Sequence, residues 1–314
     1  MQNKIHNTPS IVNLKNPKSK MFSSKSLFNQ LVLEITPVYE ENEAKSIIYL
    51  LLEHYLNLSK TDIFLDKNIM QAIDFQEIIE RMKNQEPIQY IIGETEFYGR
   101  KFKVTPDTLI PRPETEELVQ LVLKAAPQPP EGELKLYSKT PPLGVGGLIL
   151  DIGTGSGCIA ISLACELPDA QVFAYDISEK ALKIAKKNAE RNKVNVIFEK
   201  VNILEPFTVH HSPFAVIVSN PPYVMNSEKT EMERNVLEHE PHLALFVEDN
   251  DPLIFYRKIT EFAAKNLIDK GLCIVEINQA FGLETAELFW NQGFSKVEVL
   301  KDMFGKDRMV KAVL

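Results

Sequence analysis

The chain has 314 residues, of which 44% are hydrophobic and 25% are charged, so its composition excludes a disordered, fibrous or membrane-embedded protein. Its formal net charge is −8, which does not favour a long duplex nucleic acid as a partner, because such binding depends on neutralised phosphates. The three cysteines form no C-x-x-C pair, which indicates a reducing compartment. The sequence contains no run of about 18 apolar residues, the length that a membrane span needs, so we expect a soluble chain.

Residues 1–24 are rich in Asn, Lys, Ser and Pro and show no sustained periodicity, so they are predicted to form a mobile leader. A mitochondrial transit peptide is the alternative, but the segment holds no Arg, and we favour an upstream extension before a second start at Met21 in a bacterial cytoplasm. From Leu27 to Lys83 the apolar residues recur at helical spacing. This periodicity predicts a small N-terminal helical-bundle domain over residues 25–88.

Residues 89–114 are predicted to form a β-hairpin followed by a linker between two domains. Aromatic and β-branched residues surround Gly93 and Gly99, as in a hairpin, and two prolines exclude regular structure until a helix begins at about Thr115. The segment 127–147 is rich in proline and glycine and is predicted to be a loop.

Residues 115–314 are predicted to form a second domain, in which strands alternate with helices. This alternation predicts an α/β fold with right-handed crossovers and a mostly parallel sheet covered on both faces. The ligand site of such a sheet lies at the carboxyl ends of its strands. The strands are expected at residues 148–150, 171–175, 194–198, 215–218, 272–277, 297–300 and 309–313. The helices are expected to end near Glu166 and to span 179–191, 253–266 and 284–291.

A glycine-rich turn follows the first of these strands. Its glycines, Gly153, Gly155 and Gly157, allow a tight turn and let a ligand approach the bare backbone at the start of a helix. A dinucleotide fingerprint would place its last glycine at position 158, which is Cys158, so a nicotinamide-dependent dehydrogenase is disfavoured. The alternative for this turn is a purely structural strand-to-helix connection.

Asp176 ends the next strand, 19 residues after Gly157. A carboxylate at this place in a βαβ unit can accept hydrogen bonds from both hydroxyls of a ribose. The alternative is that Asp176 only caps the helix that begins near Ser178. The spacing from the glycine turn favours ribose binding.

The sequence Asn220-Pro221-Pro222-Tyr223 lies at the end of a later strand. The prolines lack N–H groups and restrain the backbone, so the Asn220 side chain and the neighbouring carbonyl groups are predicted to form a rigid array of acceptors that suits a planar NH₂ group. Tyr223 offers a flat face to an amide or a base. A strand-ending Pro-Pro pair with an Asn cap is the alternative.

Together these motifs resemble the class I S-adenosylmethionine-dependent methyltransferases. The helical N-terminal region and the segments 86–93, 96–99 and 109–116 are similar to the HemK-type family, whose members methylate the glutamine side chain in the Gly-Gly-Gln loop of peptide chain release factors. The likeness runs from about Leu27 to the C-terminus and includes Glu240-Pro241. It implies a Rossmann-like methyltransferase sheet, mostly parallel with an antiparallel last strand.

The resemblance also implies roles for individual residues. The loop holds the methionine part of S-adenosylmethionine, Asp176 holds the ribose, and the motif that begins at Asn220 holds the glutamine. Near the adenine, the family usually has an acid followed by an aromatic residue, whereas this chain has Asn202 and Ile203. The cofactor-binding residues expected from the resemblance are Gly153, Thr154, Gly155, Ser156, Gly157, Asp176, Asn202, Ile203 and Asn220. The catalytic residues expected are Asn220, Pro221, Pro222 and Tyr223.

A release factor is therefore the expected partner, bound through the helical domain by a monomer that holds no stable nucleic acid. A methyltransferase of DNA adenine or ribosomal RNA guanine is the main alternative, because the same acceptor array would serve an extruded base. A non-catalytic scaffold that binds the cofactor is a third. No metal is expected, because His210-His211 and the stretch His239-Glu240-Pro241-His242 lack the spacing of a metal site. Arg112 and Glu114 are expected to line the cofactor entrance or to form an interdomain ion pair, and Glu276 and Asn278 to support the edge of the site.

Overall fold

A computed structural model describes residues 22–69, 73–125, 147–211 and 213–314. Within these residues the helices are α1 (Ser24–Ile35), α2 (Glu41–Leu56), α3 (Lys60–Phe64), α4 (Gln76–Lys83), α5 (Ile88–Ile92), α6 (Pro113–Ala125), α7 (Cys158–Glu166), α8 (Glu179–Asn192), α9 (Arg234–His239), α10 (His242–Leu245), α11 (Ile254–Asn266) and α12 (Gly282–Asn291). The strands are β1 (Phe22–Ser23), β2 (Asn68–Ile69), β3 (Glu94–Phe97), β4 (Arg100–Lys103), β5 (Leu148–Ile152), β6 (Gln171–Asp176), β7 (Val196–Lys200), β8 (Phe214–Ser219), β9 (Val224–Met225), β10 (Phe246–Val247), β11 (Leu267–Glu276), β12 (Lys296–Lys301) and β13 (Asp307–Val313). Short 3₁₀ segments occupy Asn226–Glu231 and Gln279–Phe281.

The chain divides into two compact units. Among the described residues, the first unit contains those up to Gly93 together with Arg234–His239, and the second contains those between Glu94 and Glu233 and between Glu240 and Leu314. The short helix α9 therefore belongs to the first unit although the chain on both sides of it belongs to the second. No helix in the described part of the chain is both long and apolar enough to span a bilayer.

The first unit is a bundle of short helices, as the apolar periodicity predicted. Buried aliphatic residues of α1, α2 and α4 form its core, and α5 adds Ile88 and Ile91 to that core. The Ser23 side chain caps α1 by accepting a hydrogen bond from Ser26 N, so regular structure begins inside the segment predicted as leader. Residues 1–21 of that segment lie outside the described residues.

The predicted hairpin forms from β3 and β4, and both strands belong to the second unit, which begins at Glu94 and not at residue 115 as predicted. Tyr98 and Gly99 connect the strands with φ angles of 50° and 67°, the left-handed conformation that two-residue hairpin turns require. Phe97 and Phe102 bury their rings in the core of the second unit. The first unit ends later than predicted because α5 packs on the bundle and terminates at Gly93, which has a φ of 78°.

The second unit is a seven-stranded sheet in the order β12-β13-β11-β8-β5-β6-β7. Strands β5, β6, β7, β8 and β11 run parallel, and β13 is antiparallel to both of its neighbours, β11 and β12. Apolar residues of α6, α7 and α8 cover one face of the sheet, and those of α11 and α12 cover the other. The predicted mostly parallel α/β sheet with an antiparallel last strand is confirmed. The predicted loop at 127–147 lies outside the described residues except for its last one.

Candidate functional site

A cavity of about 280 Å³ opens at the carboxyl ends of β5, β6 and β8. These three strands are adjacent in the sheet, so their ends bring the glycine turn, Asp176 and Asn220 to a common edge. A Cβ atom placed on Gly153 would lie 3.9 Å from the Asn220 carbonyl oxygen, which shows how closely the strand ends approach. Residues 106–109 contribute to the outer wall, together with Pro241, Leu243 and Ala244.

The glycine turn connects β5 to α7 and is tied to the end of β6. Gly153 N and Thr154 N both donate to the Tyr175 carbonyl oxygen, at 2.8 and 3.0 Å. The glycines at 153, 155 and 157 have φ angles of 74°, 54° and 83°, so the turn relies on a conformation that side chains disfavour. Gly153 and Gly155 line the cavity and offer it backbone without a side chain.

Thr154 and Ser156, both expected to bind cofactor, are buried and do not line the cavity. The Thr154 hydroxyl donates to Asp151 Oδ2 at 2.6 Å, and the Ser156 carbonyl oxygen accepts from Asn188 Nδ2 at 2.8 Å. The Asn188 side chain also bonds both the N–H and the carbonyl of Lys103 in β4. These contacts involve groups that do not line the cavity, and they fix the conformation of the turn.

Asp151 is a fully buried carboxyl group beneath the turn. Its Oδ2 atom accepts from Thr154 and from Ala160 N, while Oδ1 has no partner among the described residues. Burial raises the pKa of Asp151 to about 7, and the neighbouring Asp176 charge acts in the same direction. Sequence reasoning did not single out this residue, although it follows the apolar run 148–150 and lies two positions before Gly153.

Asp176 ends β6 and lines the cavity. Its two carboxylate oxygens accept from Gly155 N and Ser178 N, each at 2.8 Å. A carboxylate offers about four acceptor positions, so two remain for vicinal hydroxyl groups. Burial raises its pKa, and the backbone N–H bonds oppose that shift. The side chain that caps α8 is Ser178, which accepts from Ala181 N at 3.2 Å.

Asn202 and Ile203 follow β7 and also line the cavity. Asn202 Oδ1 accepts from Leu204 N at 3.1 Å, so its oxygen is engaged in a local turn. Its NH₂ group is therefore the donor that Asn202 can offer to a ligand in the cavity. Ile203 contributes an apolar surface where a flat base can pack.

The motif that begins at Asn220 stands between two cavities. Asn220 and Pro221 line the large cavity and also a second, smaller one of about 50 Å³, while Pro222 lines the large cavity and Tyr223 the small one. The Asn278 side chain donates to the Tyr223 carbonyl oxygen at 3.2 Å and to Glu228 Oε2 at 3.1 Å. These bonds fix the backbone that follows the prolines.

Glu276, at the end of β11, connects the polar groups around the small cavity. Its oxygens accept from the hydroxyls of Thr115 and Tyr223, at 2.7 and 3.1 Å. Thr115 in turn accepts from Asn220 Nδ2 at 3.1 Å. Burial raises the pKa of Glu276, while the two hydroxyl bonds and Arg308 oppose the shift. Burial and the Glu276 charge raise the pKa of Tyr223, so its hydroxyl remains protonated at neutral pH.

Arg112 forms an ion pair with Glu240 inside the second unit, at 2.5 Å between Nη2 and Oε1. The other oxygen of Glu240 accepts from Ile110 N at 3.1 Å, and the Glu240 side chain is only 1% exposed. The pair therefore ties the segment before α6 to the segment before α10, and both segments wall the large cavity. Arg112 also lines the small cavity. The expectation of an interdomain ion pair is wrong because the two partners lie in one unit.

The histidine-containing stretches do not gather metal ligands. Within the described ranges, no group of three or more His, Cys, Asp or Glu residues is arranged to hold a metal ion. His211 instead packs against the Phe173 ring, and His239 contacts the Asn84 carbonyl oxygen at 3.0 Å inside the first unit.

Comparison with known proteins agrees with this architecture. A family model described as PrmC N-terminal domain matches residues 33–93, and one described as Methyltransferase small domain matches residues 135–243. A release factor glutamine methyltransferase of Flavobacterium psychrophilum is 47% identical, over 91% of this chain and 98% of the relative. A protein of the same name from Bacteroides thetaiotaomicron is 44% identical, over 88% and 94% of the two chains. The resemblance inferred from the motifs is confirmed, and the chain belongs to the family of release factor glutamine methyltransferases.

Proposed function

We propose that this chain transfers a methyl group from S-adenosylmethionine to the side-chain amide nitrogen of the glutamine in the Gly-Gly-Gln motif of peptide chain release factors. The observation that carries the proposal is the position of Asn220 and Pro221, which line both cavities. A cofactor in the large cavity and an amide in the small one would meet at these two residues.

The large cavity suits the proposed cofactor. Gly153 and Gly155 leave room for its methionine part, Asp176 has two acceptor positions for the ribose hydroxyls, and Asn202 with Ile203 offers a donor and an apolar face to the adenine. S-adenosylmethionine supplies a methyl group that is already activated by its positive sulfur. The protein therefore needs to provide orientation and no strong acid.

The small cavity suits a primary amide. Asn220 Nδ2 is held by Thr115, which leaves Asn220 Oδ1 to accept from one amide hydrogen of the substrate. The Pro221 carbonyl oxygen is the candidate acceptor for the other, and Tyr223 provides a flat wall. Two fixed acceptors hold the amide nitrogen towards the large cavity and stabilise the positive charge that grows on it as it attacks.

Positioning is the main task in this proposal, because an amide nitrogen has a delocalised lone pair and is a poor nucleophile. Holding two reacting groups in line contributes up to about 7–11 kcal/mol in favourable systems. No strong base is required before the transfer, since the amide proton becomes acidic only as the new bond forms.

The decisive experiment incubates the purified chain with release factor and S-adenosylmethionine labelled on its methyl group. We expect label on the factor and none on a factor that carries glutamate in place of the target glutamine. DNA and ribosomal RNA serve as parallel substrates. Label on nucleic acid, or equal label on both forms of the factor, would contradict the proposed function.

We further propose that the first unit contacts the release factor outside its Gly-Gly-Gln loop. Phe64 and Leu65 are 80% and 71% exposed and adjacent, a pairing that suits a protein contact. Substituting both by serine should raise the KM for intact factor and leave the KM for a short Gly-Gly-Gln peptide unchanged. Leu283→Ser, at a 72% exposed position of the second unit, is the matched control. An equal effect on factor and peptide would contradict this role.

A further inference from the structure

The buried carboxylate of Glu276 has an unusual set of partners. The side chain is 2% exposed, and its hydrogen-bond donors among the described residues are two hydroxyl groups, those of Thr115 and Tyr223. The guanidinium group of Arg308 also acts on Glu276 electrostatically, but it donates its hydrogen bond to Asp302, at 3.1 Å. Glu276 therefore interacts with the site through hydroxyl hydrogens.

The hydrogen bonds that run from Glu276 through Thr115 to Asn220 determine how the Asn220 amide is oriented. While Glu276 is ionised, its carboxylate can only accept, and Thr115 then gives its single hydroxyl hydrogen to Glu276. The Thr115 oxygen can then act towards Asn220 only as an acceptor. Asn220 must consequently turn its NH₂ group to Thr115, at 3.1 Å, and its oxygen remains for the substrate.

We propose that Glu276 is a positioning residue that, through Thr115, fixes the orientation of the Asn220 amide and thereby makes the site accept an amide and reject a carboxylate. The inference rests on the proposed function, because it concerns the group that receives the substrate NH₂. An Asn220 oxygen attracts the hydrogens of a glutamine side chain. The same oxygen repels the oxygens of a glutamate, which has no hydrogen to donate when ionised.

Glu276→Gln removes this control while it keeps the shape of the side chain. A glutamine NH₂ facing Thr115 would donate to its oxygen, and Thr115 would then turn its hydrogen towards Asn220. The Asn220 amide would rotate and present NH₂ to the substrate, which places donor against donor. Thr115→Val removes the tie altogether, whereas Thr115→Ser retains the hydroxyl.

Protonation of Glu276 has the same consequence as the glutamine substitution. The charged and titratable groups that face it include Arg308 from β13, Glu114 from α6, Tyr223 from the segment after β8, Tyr256 from α11 and Cys158 from α7. Because burial raises the pKa of Glu276, the proton enters at a higher pH than at a free carboxyl group. The wild-type rate should fall on the acid side of the pH profile, and Glu276→Gln should flatten that limb.

The experiment measures kcat, KM for release factor, cofactor affinity and the pH profile for wild type, Glu276→Gln, Thr115→Val and Thr115→Ser. We expect the first two substitutions to lower kcat by about tenfold, the effect of losing one positioned hydrogen bond, with cofactor affinity unchanged. Thr115→Ser should restore most of the rate that Thr115→Val loses. Thr285→Val is the matched control, since Thr285 is a buried threonine of the same unit whose hydroxyl has no hydrogen-bond partner among the described residues.

A second measurement reports the orientation itself. A release factor with glutamate at the target position should inhibit wild type weakly and Glu276→Gln about tenfold more strongly, because a rotated Asn220 donates to the carboxylate. A merely structural role of Glu276 would not reverse this preference. The gain in inhibition is thus expected only if the amide turns.

The outcomes separate the two proposals. A wild-type chain that transfers no methyl group to release factor overturns the proposed function, and this inference with it. A wild-type chain that methylates the factor while Glu276→Gln retains its kcat and its rejection of glutamate overturns the inference alone. Loss of rate in Glu276→Gln together with lost cofactor affinity and no rescue by Thr115→Ser would also overturn it.

Discussion

Asp151→Asn should stabilise the protein in a strongly pH-dependent way. Burial raises the pKa of Asp151 in the folded chain to about 7, against 3.8 for an exposed group. The folded chain therefore keeps a proton that the unfolded chain loses as the pH rises from about 4 to 7. Over that window the free energy of unfolding of the wild type falls, and above pH 7 the loss levels off.

The size of the effect follows from the same shift. A shift of one pKa unit corresponds to about 1.4 kcal/mol, so a shift of about three units sets an upper bound near 4 kcal/mol at pH 8. Asparagine carries no charge, and its oxygen can take over the bonds that Oδ2 accepts from Thr154 and Ala160. Its NH₂ group lies where Oδ1 has no partner, which adds a cost that does not depend on pH.

Chemical denaturation of wild type and Asp151→Asn at pH 4.5, 6 and 8 measures this difference. We expect the variant to gain on the wild type steadily across the series. Asp302→Asn is the control, and its effect should have the opposite sign. Burial raises the pKa of Asp302, but hydrogen bonds from Lys306 N, Arg308 and Phe304 N outweigh burial and lower this pKa. The stabilisation that Asp302 provides is therefore present at neutral pH and is lost in acid. A difference between Asp151→Asn and wild type that does not change with pH would refute the reasoning.

Four further substitutions test the site and the glycine turn next to it. Asp176→Ala should weaken cofactor binding about 10²-fold or more, because charge-assisted bonds to ribose hydroxyls contribute about 1.5–3 kcal/mol each, and unchanged affinity in calorimetric titration would contradict the ribose assignment. Asn220→Ala should lower the methylation rate about 10²–10³-fold with cofactor affinity retained, and near-normal turnover would exclude its role. Gly157→Ala should lower the unfolding free energy by about 2–4 kcal/mol for two reasons. The residue has a φ of 83°, which disfavours any side chain, and the added Cβ would lie only 2.8 Å from Ile161 Cδ1. Gly155→Ala, in open space at a φ of 54°, should cost only about 1–2 kcal/mol in the same denaturation assay, and equal losses would show that crowding is unimportant.

The strands that carry the site were predictable because each leaves a local mark in the sequence. A short run of buried residues precedes each of three motifs, which are the glycine turn, Asp176 and Asn220. Each motif lies at the end of its strand. The beginning of β11 was predicted five residues too late, at position 272. Lys270 has a φ of 60° there and the pairing register shifts, so the apolar pattern of a strand is broken.

The polar groups around the small cavity were only partly predictable. Thr115 and Glu276 are 161 positions apart, so no spacing rule connects them, and only the packing of α6 against the end of β11 brings them together. The segment from β9 to β10 was missed because its elements are too short to show a period. That segment is stabilised by hydrogen bonds between residues far apart in the sequence, such as the one from Ser227 N to Asp249 Oδ1 at 3.0 Å.

The membership of α9 in the first unit has a consequence for any attempt to divide this protein. The chain crosses from one unit to the other after Gly93, before Arg234 and after His239, so the helical bundle is encoded by two separate stretches. A recombinant fragment that stops at residue 93 would lack a helix whose His239 contacts Asn84. A single cut in the polypeptide therefore never releases either unit whole.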